Sequence, residues 1–298
     1  MNLRARTHST TQLEVSRAIL ALGMLVLGAC ATVGSKAPPA DGAAALSREQ
    51  VAGILASPDR RAADRTNDIR RKPEDMLVFI GVRPGMVALD LSTGGGYTTE
   101  LLARAVGPTG RVYGQSAPRN PDRTPPAAPE GAATPASRVA TVVTPAPPGP
   151  PNSAAALAER AKNPAAGNII AVLRPFEDPV PPEVASNALD LVTLMFNYHD
   201  LGHMGVDRAR MNRAVFAALK PGGIFVIADH AGRPGTGISE SGTLHRLEES
   251  FLRREVEAAG FTLLAEGTFL RNPADPRDKN TPDPPQPKDE FVLKFAKP

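Results

Sequence analysis

A doubly wound α/β domain, its sheet mostly parallel and covered by helices on both faces, follows from three features of this chain. From Lys72 onward, short apolar runs alternate with amphipathic stretches, the pattern of strands joined by crossover helices. The first run ends in a glycine-rich turn at 92–96 that opens a helical stretch. The last two strand-like runs have no helix between them and are expected to pair antiparallel.

The elements follow in order. Ser47-Arg48-Glu49-Gln50 has capping-box spacing and starts the folded part. Pro73 opens a helix that runs to Ile80 and is closed by Gly81. Arg83-Pro84-Gly85 turns the chain into a strand at 86–91. A helix to about Val106 and the turn Gly107-Pro108-Thr109-Gly110 lead to a strand at 111–115. Residues 116–152 break the pattern with eleven prolines in 37 residues and no aromatic, and read as an exposed, poorly ordered insertion. A helix at 153–162, strands at 168–173 and 188–196, a helix at 207–219 and a strand at 223–229 resume it. A helix at 247–259 precedes the late strands 261–270 and 290–295.

The chain has 298 residues, 42% apolar and 22% charged, a globular composition. Its single Cys excludes a disulfide framework and a cysteine zinc knuckle. A basic start, an apolar run at 18–27 and Gly28-Ala29-Cys30 read as a secretory signal, since a bilayer span needs ~20 apolar residues. Leu27-Gly28-Ala29-Cys30 resembles the bacterial lipobox, with the only cysteine at the lipidated position. The expected organisation is a lipoprotein signal peptide at 1–29, a flexible tether at 30–46 and a folded domain at 47–298. The protein would then be exported and held on a periplasm-facing membrane by lipid on Cys30; Ala31, in place of an Asp, points to the outer membrane. Without residues 1–29, a formal charge of +3 falls to +1, too small a field for a nucleic-acid partner. Arg60, Arg61, Arg65, Arg70, Arg71 and Lys72 alternate with Asp59, Asp64 and Asp68, which reads as a solvated or salt-bridged surface.

The strongest chemical signal runs from Val87 to Tyr97. A strand ends in Asp90, the backbone turns through Gly94, Gly95 and Gly96, and a helix begins. Glycines let a ligand approach the main chain, and helix-start amides can hold a carboxylate or phosphate. The loop lacks a G-x-G-x-x-G register, which disfavours a dinucleotide oxidoreductase.

On these residues the chain resembles the class I S-adenosylmethionine (SAM)-dependent methyltransferases. The likeness is carried by Asp90-x-Ser92-x-Gly94-x-Gly96, Asn197-Tyr198-His199-Asp200 and Lys220-Pro221-Gly222-Gly223. More narrowly it is similar to exported bacterial predicted methyltransferases, through Ser57-Pro58-x-Arg60, Arg71-Lys72-Pro73, Asp229-His230, Thr243-Leu244-His245-Arg246 and Leu270-Arg271-Asn272-Pro273. The resemblance implies a Rossmann-like sheet of seven strands with the last reversed, and SAM as cofactor for a small-molecule or envelope acceptor. Asp90, Ser92 and the backbone of Gly94, Gly95 and Gly96, with Asn197 nearby, would line the cofactor site. Gln115 stands where an acid would grip the ribose, and Glu177 or Asp178 are candidates for the adenine amino group. Two departures, Ser92 for glycine and Gln115 for an acid, keep a second reading open: an inactive or repurposed binding lipoprotein on the same fold.

His199, His203, His230 and His245 each follow a strand's carboxyl end, the ligand edge of open α/β sheets. If the fourth and fifth strands are neighbours, Asp200 and Asp229 approach His199 and His230. Three roles compete. His199 or His230 is a general base oriented by an Asp. Alternatively, His199, His203 and an Asp hold a metal, although Gly202 and Gly205 argue against the helix this needs, so no metal is assigned. In the third, these side chains shape the pocket wall. Tyr198 either covers the cofactor, steers the acceptor or packs.

Overall fold

Seven strands form one sheet: β1 (Val87–Leu91), β2 (Arg111–Ser116), β3 (Ile169–Leu173), β4 (Leu189–Met195), β5 (Leu219–His230), β6 (Thr262–Gly267) and β7 (Glu290–Ala296). Their spatial order is β3-β2-β1-β4-β5-β7-β6. The first five run parallel, and β7 is antiparallel to both β5 and β6. The expected sheet is therefore present, reversed strand included. This computed structural model describes residues 43–118, 153–280, 282 and 286–298. The signal peptide, Cys30, the tether as far as 42 and most of the proline-rich insertion lie outside the described residues.

Alternation along each strand divides the core. Leu89, Val192, Phe225 and Phe291 face one layer with α7 (Arg208–Ala218) and α8 (Glu249–Glu257). Ala88, Leu191, Val226 and Val292 face the other, with α1 (Arg48–Ala56), α3 (Pro73–Ile80), α4 (Tyr97–Val106) and Leu157 of α5 (Ser153–Arg160). Both faces being covered explains why the central strands read as continuous apolar runs. The capping box at Ser47 and Gln50 forms, and α3 begins at Pro73 and ends on Gly81 at φ +75°.

Of the two arrangements expected for the alternating charges on and just before α2 (Ala62–Arg71), solvated or salt-bridged, several pairs adopt the second and are partly buried. Arg60, 5% exposed, makes two bonds to Asp68 at 2.7 and 2.8 Å, and Asp64 is buried against Arg160 of α5. Opposite charges bury there because each meets a partner. The strand expected at 261–270 pairs only as far as Gly267. Asp200–His203 forms one helical turn, α6, despite Gly202. That glycine serves close approach: a Cβ there would collide with Ile238 and lie 2.7 Å from Ser241 Oγ.

Candidate active site

The order around β1 reverses direction between β1 and β4, and the loops at their carboxyl ends meet there. Asp90 near the end of β1 is fully buried and accepts Thr99 Oγ1 at 2.6 Å and Thr193 Oγ1 at 2.7 Å. Burial pushes its carboxyl up to about 6, against the pull of these two hydroxyls. Ser92 adopts φ +55°, a left-handed conformation in which glycine is unstrained. Its bonds hold it there: N–H to Gln115 Oε1 at 3.1 Å and Oγ to Asn197 Oδ1 at 2.5 Å, the latter bridging the switch point.

The three glycines divide their work. A Cβ on Gly94 or Gly95 would meet nothing within 4 Å, so these two form an open floor. At Gly96, φ +78°, a Cβ would sit 2.6 Å from Leu157 Cδ2 and 2.8 Å from Arg160 Cδ, so this glycine serves packing of α5. Over the floor lies a cleft of about 330 Å³ bounded by Arg71, Asp90, Ser92, Tyr97, Phe196 and Asn197. A larger hollow of about 650 Å³ opens near Gly107, Arg111 and Asn168, at the amino ends of the strands, where this fold class does not place ligands. Its Arg104 is already committed to Asp59 and Glu100.

Arg71 is the residue that sequence reasoning missed. Its guanidinium lies 4.6 Å from the Phe196 ring centroid and 5.5 Å from that of Tyr97. Among the described residues no carboxylate or carbonyl accepts its N–H groups, whereas neighbouring Arg70 is paired with Glu290 at 2.8 Å. Burial and the charge of Arg70 lower its proton affinity. The motif Arg71-Lys72-Pro73 was visible; that the end of α2 overhangs the β1 loop was not.

The other candidates separate into groups. His199, Asp200 and His230 converge as strand adjacency implied. His199 donates its backbone N–H to Asp229 Oδ2 at 2.8 Å, and its Nδ1 lies 2.6 Å from Asp229 Oδ1. Its Nε2 is 3.2 Å from Asp200 Oδ1. Burial pulls the His199 imidazole down, but Asp229 and Asp200 together raise it to about 9. At neutral pH it is charged, which suits a donor and not a general base. His230 is kept neutral by burial; its Nδ1 lies 3.0 Å from Glu290 Oε1 but outside bonding geometry and is unsatisfied. Asn197 donates Nδ2 to Asp200 Oδ2 at 2.7 Å, joining this cluster to the glycine loop. His245, from the Thr243–Arg246 motif, joins with Nδ1 2.9 Å from Asp200 Oδ1. His203 is farther, at 3.8 Å.

Tyr198 takes the packing role. It is fully buried, donates to Glu255 Oε2 at 2.9 Å and accepts from Asn212 at 3.0 Å. Gln115 does not face the cleft: Oε1 accepts Ser92 N–H and Nε2 donates to Arg174 O at 2.6 Å. It braces the loop. Asp178 pairs with Arg174, and neither it nor Glu177 lines the cleft.

Asp90 gives a pH test. Its folded carboxyl holds a proton more tightly than the unfolded chain does, so its contribution is complete below about pH 4 and lost as pH rises through about 6. Asp90→Asn keeps one acceptor and avoids burying a charge. Between pH 4 and pH 8 in urea titrations the parent should lose roughly 2–3 kcal/mol of stability that the non-titrating variant keeps, so the variant gains by that amount relative to the parent. A constant difference between the two would contradict the assignment.

No family model and no curated protein matches the sequence. Among solved structures the chain is similar to a SAM-dependent methyltransferase from Aquifex aeolicus, with a TM-score of 0.51 and 16% identity, covering 85% of this chain and 100% of that one. It is also similar to CrArsM, an arsenic(III) S-adenosylmethionine methyltransferase from Chlamydomonas reinhardtii, at TM-score 0.49 and 16% identity, over 83% and 72% of the two chains. The first likeness, at this identity, establishes the fold. The chain carries the Rossmann-like, seven-stranded fold with a reversed last strand seen in the Aquifex methyltransferase.

Proposed function

We propose that this chain binds SAM over Gly94 and Gly95 and directs its methyl group to a small-molecule or envelope acceptor. The observation that carries the reading is Arg71, a guanidinium without a hydrogen-bond or ion-pair partner among the described residues, beside an open glycine floor and the buried carboxyl of Asp90. A half-buried arginine without an acceptor is matched by an anion such as an amino-acid carboxylate. Asp90 favours positive charge in the same cleft once ionised. The cleft volume of about 330 Å³ lies at the lower end of small-molecule sites. Bound SAM supplies an electrophilic methyl on sulfur. The chain's own residues hold the reactants in line, the main contribution that such a displacement needs. Ser92 and Asn197 fix the loop across the switch point, and Phe196 walls one side.

Incubating the 298-residue chain with methyl-tritiated SAM and envelope extract should move label into an extractable compound, and Arg71→Ala should slow the transfer about 10- to 100-fold at subsaturating SAM. One observation favours a second reading, a non-catalytic binding protein: Gln115, the expected ribose contact, is committed within the protein. Cofactor binding without label transfer to any fraction would select it. The same proposal places the protein on a membrane through Cys30. Palmitate labelling in a bacterial host should disappear in Cys30→Ser; persistent labelling would remove the anchor.

A further inference from the structure

We propose that His199 Nε2, Asp200 Oδ1 and His245 Nδ1 form a binding site for a divalent transition-metal ion. His199, Asp200 and His245 each offer one donor atom that lies within 4.8 Å of the other two. Two separations are known individually: 3.2 Å between His199 Nε2 and Asp200 Oδ1, and 2.9 Å between His245 Nδ1 and Asp200 Oδ1. With metal–ligand bonds of about 2.1 Å, neighbouring donors of a tetrahedral ion stand about 3.4 Å apart. The cluster is thus close to the size of a coordination shell, and an ion entering it displaces to solvent the hydrogens that lie between Asp200 Oδ1 and the two imidazole nitrogens, the charged His199 losing its Nε2 proton.

Each donor is also held from behind. Asp229, fully buried, holds His199 Nδ1 at 2.6 Å, the carboxylate–histidine arrangement that orients a ligating imidazole through its other nitrogen. Asn197 fixes the second oxygen of Asp200 at 2.7 Å and leaves Oδ1 for the ion. His245 adopts φ +51°, uncommon for a residue with a Cβ, and the next residue clamps it there. Arg246 is fully buried and donates to Ala231 O at 3.0 Å and Asp275 at 2.8 Å. Two imidazoles and a carboxylate suit Zn²⁺, Co²⁺ or Fe²⁺ rather than Ca²⁺ or Mg²⁺. The side chains of Asp200 and His245 are 25% and 35% exposed, so an ion has a path in and room for a fourth ligand. His203, anchored to Ser241, lies outside the set.

The test needs neither SAM nor a methyl acceptor. The untagged 298-residue chain should retain about one equivalent of metal by elemental analysis after dialysis. Chelator-treated protein titrated with Co²⁺ alone should develop visible d–d absorption that saturates at one equivalent. His245→Ala, at a partly exposed position the fold can spare, should lose the spectrum while keeping its thermal midpoint. His203→Ala should keep it, and Asp229→Asn should weaken Co²⁺ binding by about 10- to 100-fold. An identical spectrum in His245→Ala, or no bound metal and no spectrum in the parent, overturns the site; the latter would leave a hydrogen-bonded imidazole–carboxylate cluster.

Discussion

Arg71→Ala should weaken SAM binding by about 10- to 100-fold while leaving the thermal midpoint nearly unchanged. A hydrogen bond to a charged group contributes roughly 1.5–3 kcal/mol, which converts to that range of affinity. The stability side follows from what Arg71 does not do. Among the described residues it makes no hydrogen bond or ion pair, so its removal orphans no carboxylate. It also relieves repulsion from Arg70. Only its stacking over Phe196 and Tyr97 is lost, worth about 0.5–1 kcal/mol at such sites. Arg71→Lys should recover part of the affinity, keeping the charge but not the planar fork. Calorimetric affinity beside a melting curve separates the outcomes. Unchanged affinity would remove Arg71 from the cofactor site.

Arg160→Ala should be the most destabilising single change near the cleft, by about 3–5 kcal/mol. Its guanidinium takes Asp64 at 2.6 and 2.9 Å, pairs with Glu100, and donates Nε to Gly95 O at 2.5 Å. Arg160, Asp64 and Glu100 are each 5% exposed. Glu100 keeps Arg104, but Asp64 would be left buried without a cation. At about 2–4 °C per kcal/mol for a domain of this size, the midpoint should fall by roughly 10 °C. Arg160→Met with Asp64→Leu should restore most of the loss, because a buried pair replaced by apolar groups is near neutral. The double variant should still bind SAM more weakly, since the Gly95 carbonyl has lost its donor. Equal affinity in the double variant would sever α5 from the loop.

What the sequence revealed, and what it hid, divides by distance along the chain. Local signals served well: Pro73 and Gly81 bound a helix, Ser47 and Gln50 cap another, and Ser92 to Gly96 lie between the strand that carries Asp90 and a helix. Strand order carried one inference further, since neighbouring β4 and β5 bring Asp229 to His199. Contacts between distant segments were not legible. Arg71 reaches the cleft because α2 overhangs the β1 loop, and His245 reaches Asp200 because Arg246 is pinned beneath it. Gln115 sits at the expected position, yet its amide is claimed by Ser92 and Arg174, from two other segments. Gly202 sits in a helical turn for the same kind of reason: the close approach that requires it comes from Ile238 and Ser241, outside its own turn.

The floor at Gly94 and Gly95, with Arg71 and Asp90 beside it, is proposed to receive an adenosyl amino acid. Titrating the 298-residue chain with S-adenosylhomocysteine in a calorimeter at pH 7.5 tests it directly. Saturable heat at one ligand per chain, abolished by Asp90→Ala and reduced by Arg71→Ala, is the expected result. A flat titration at millimolar ligand, from protein that melts cooperatively, would contradict it.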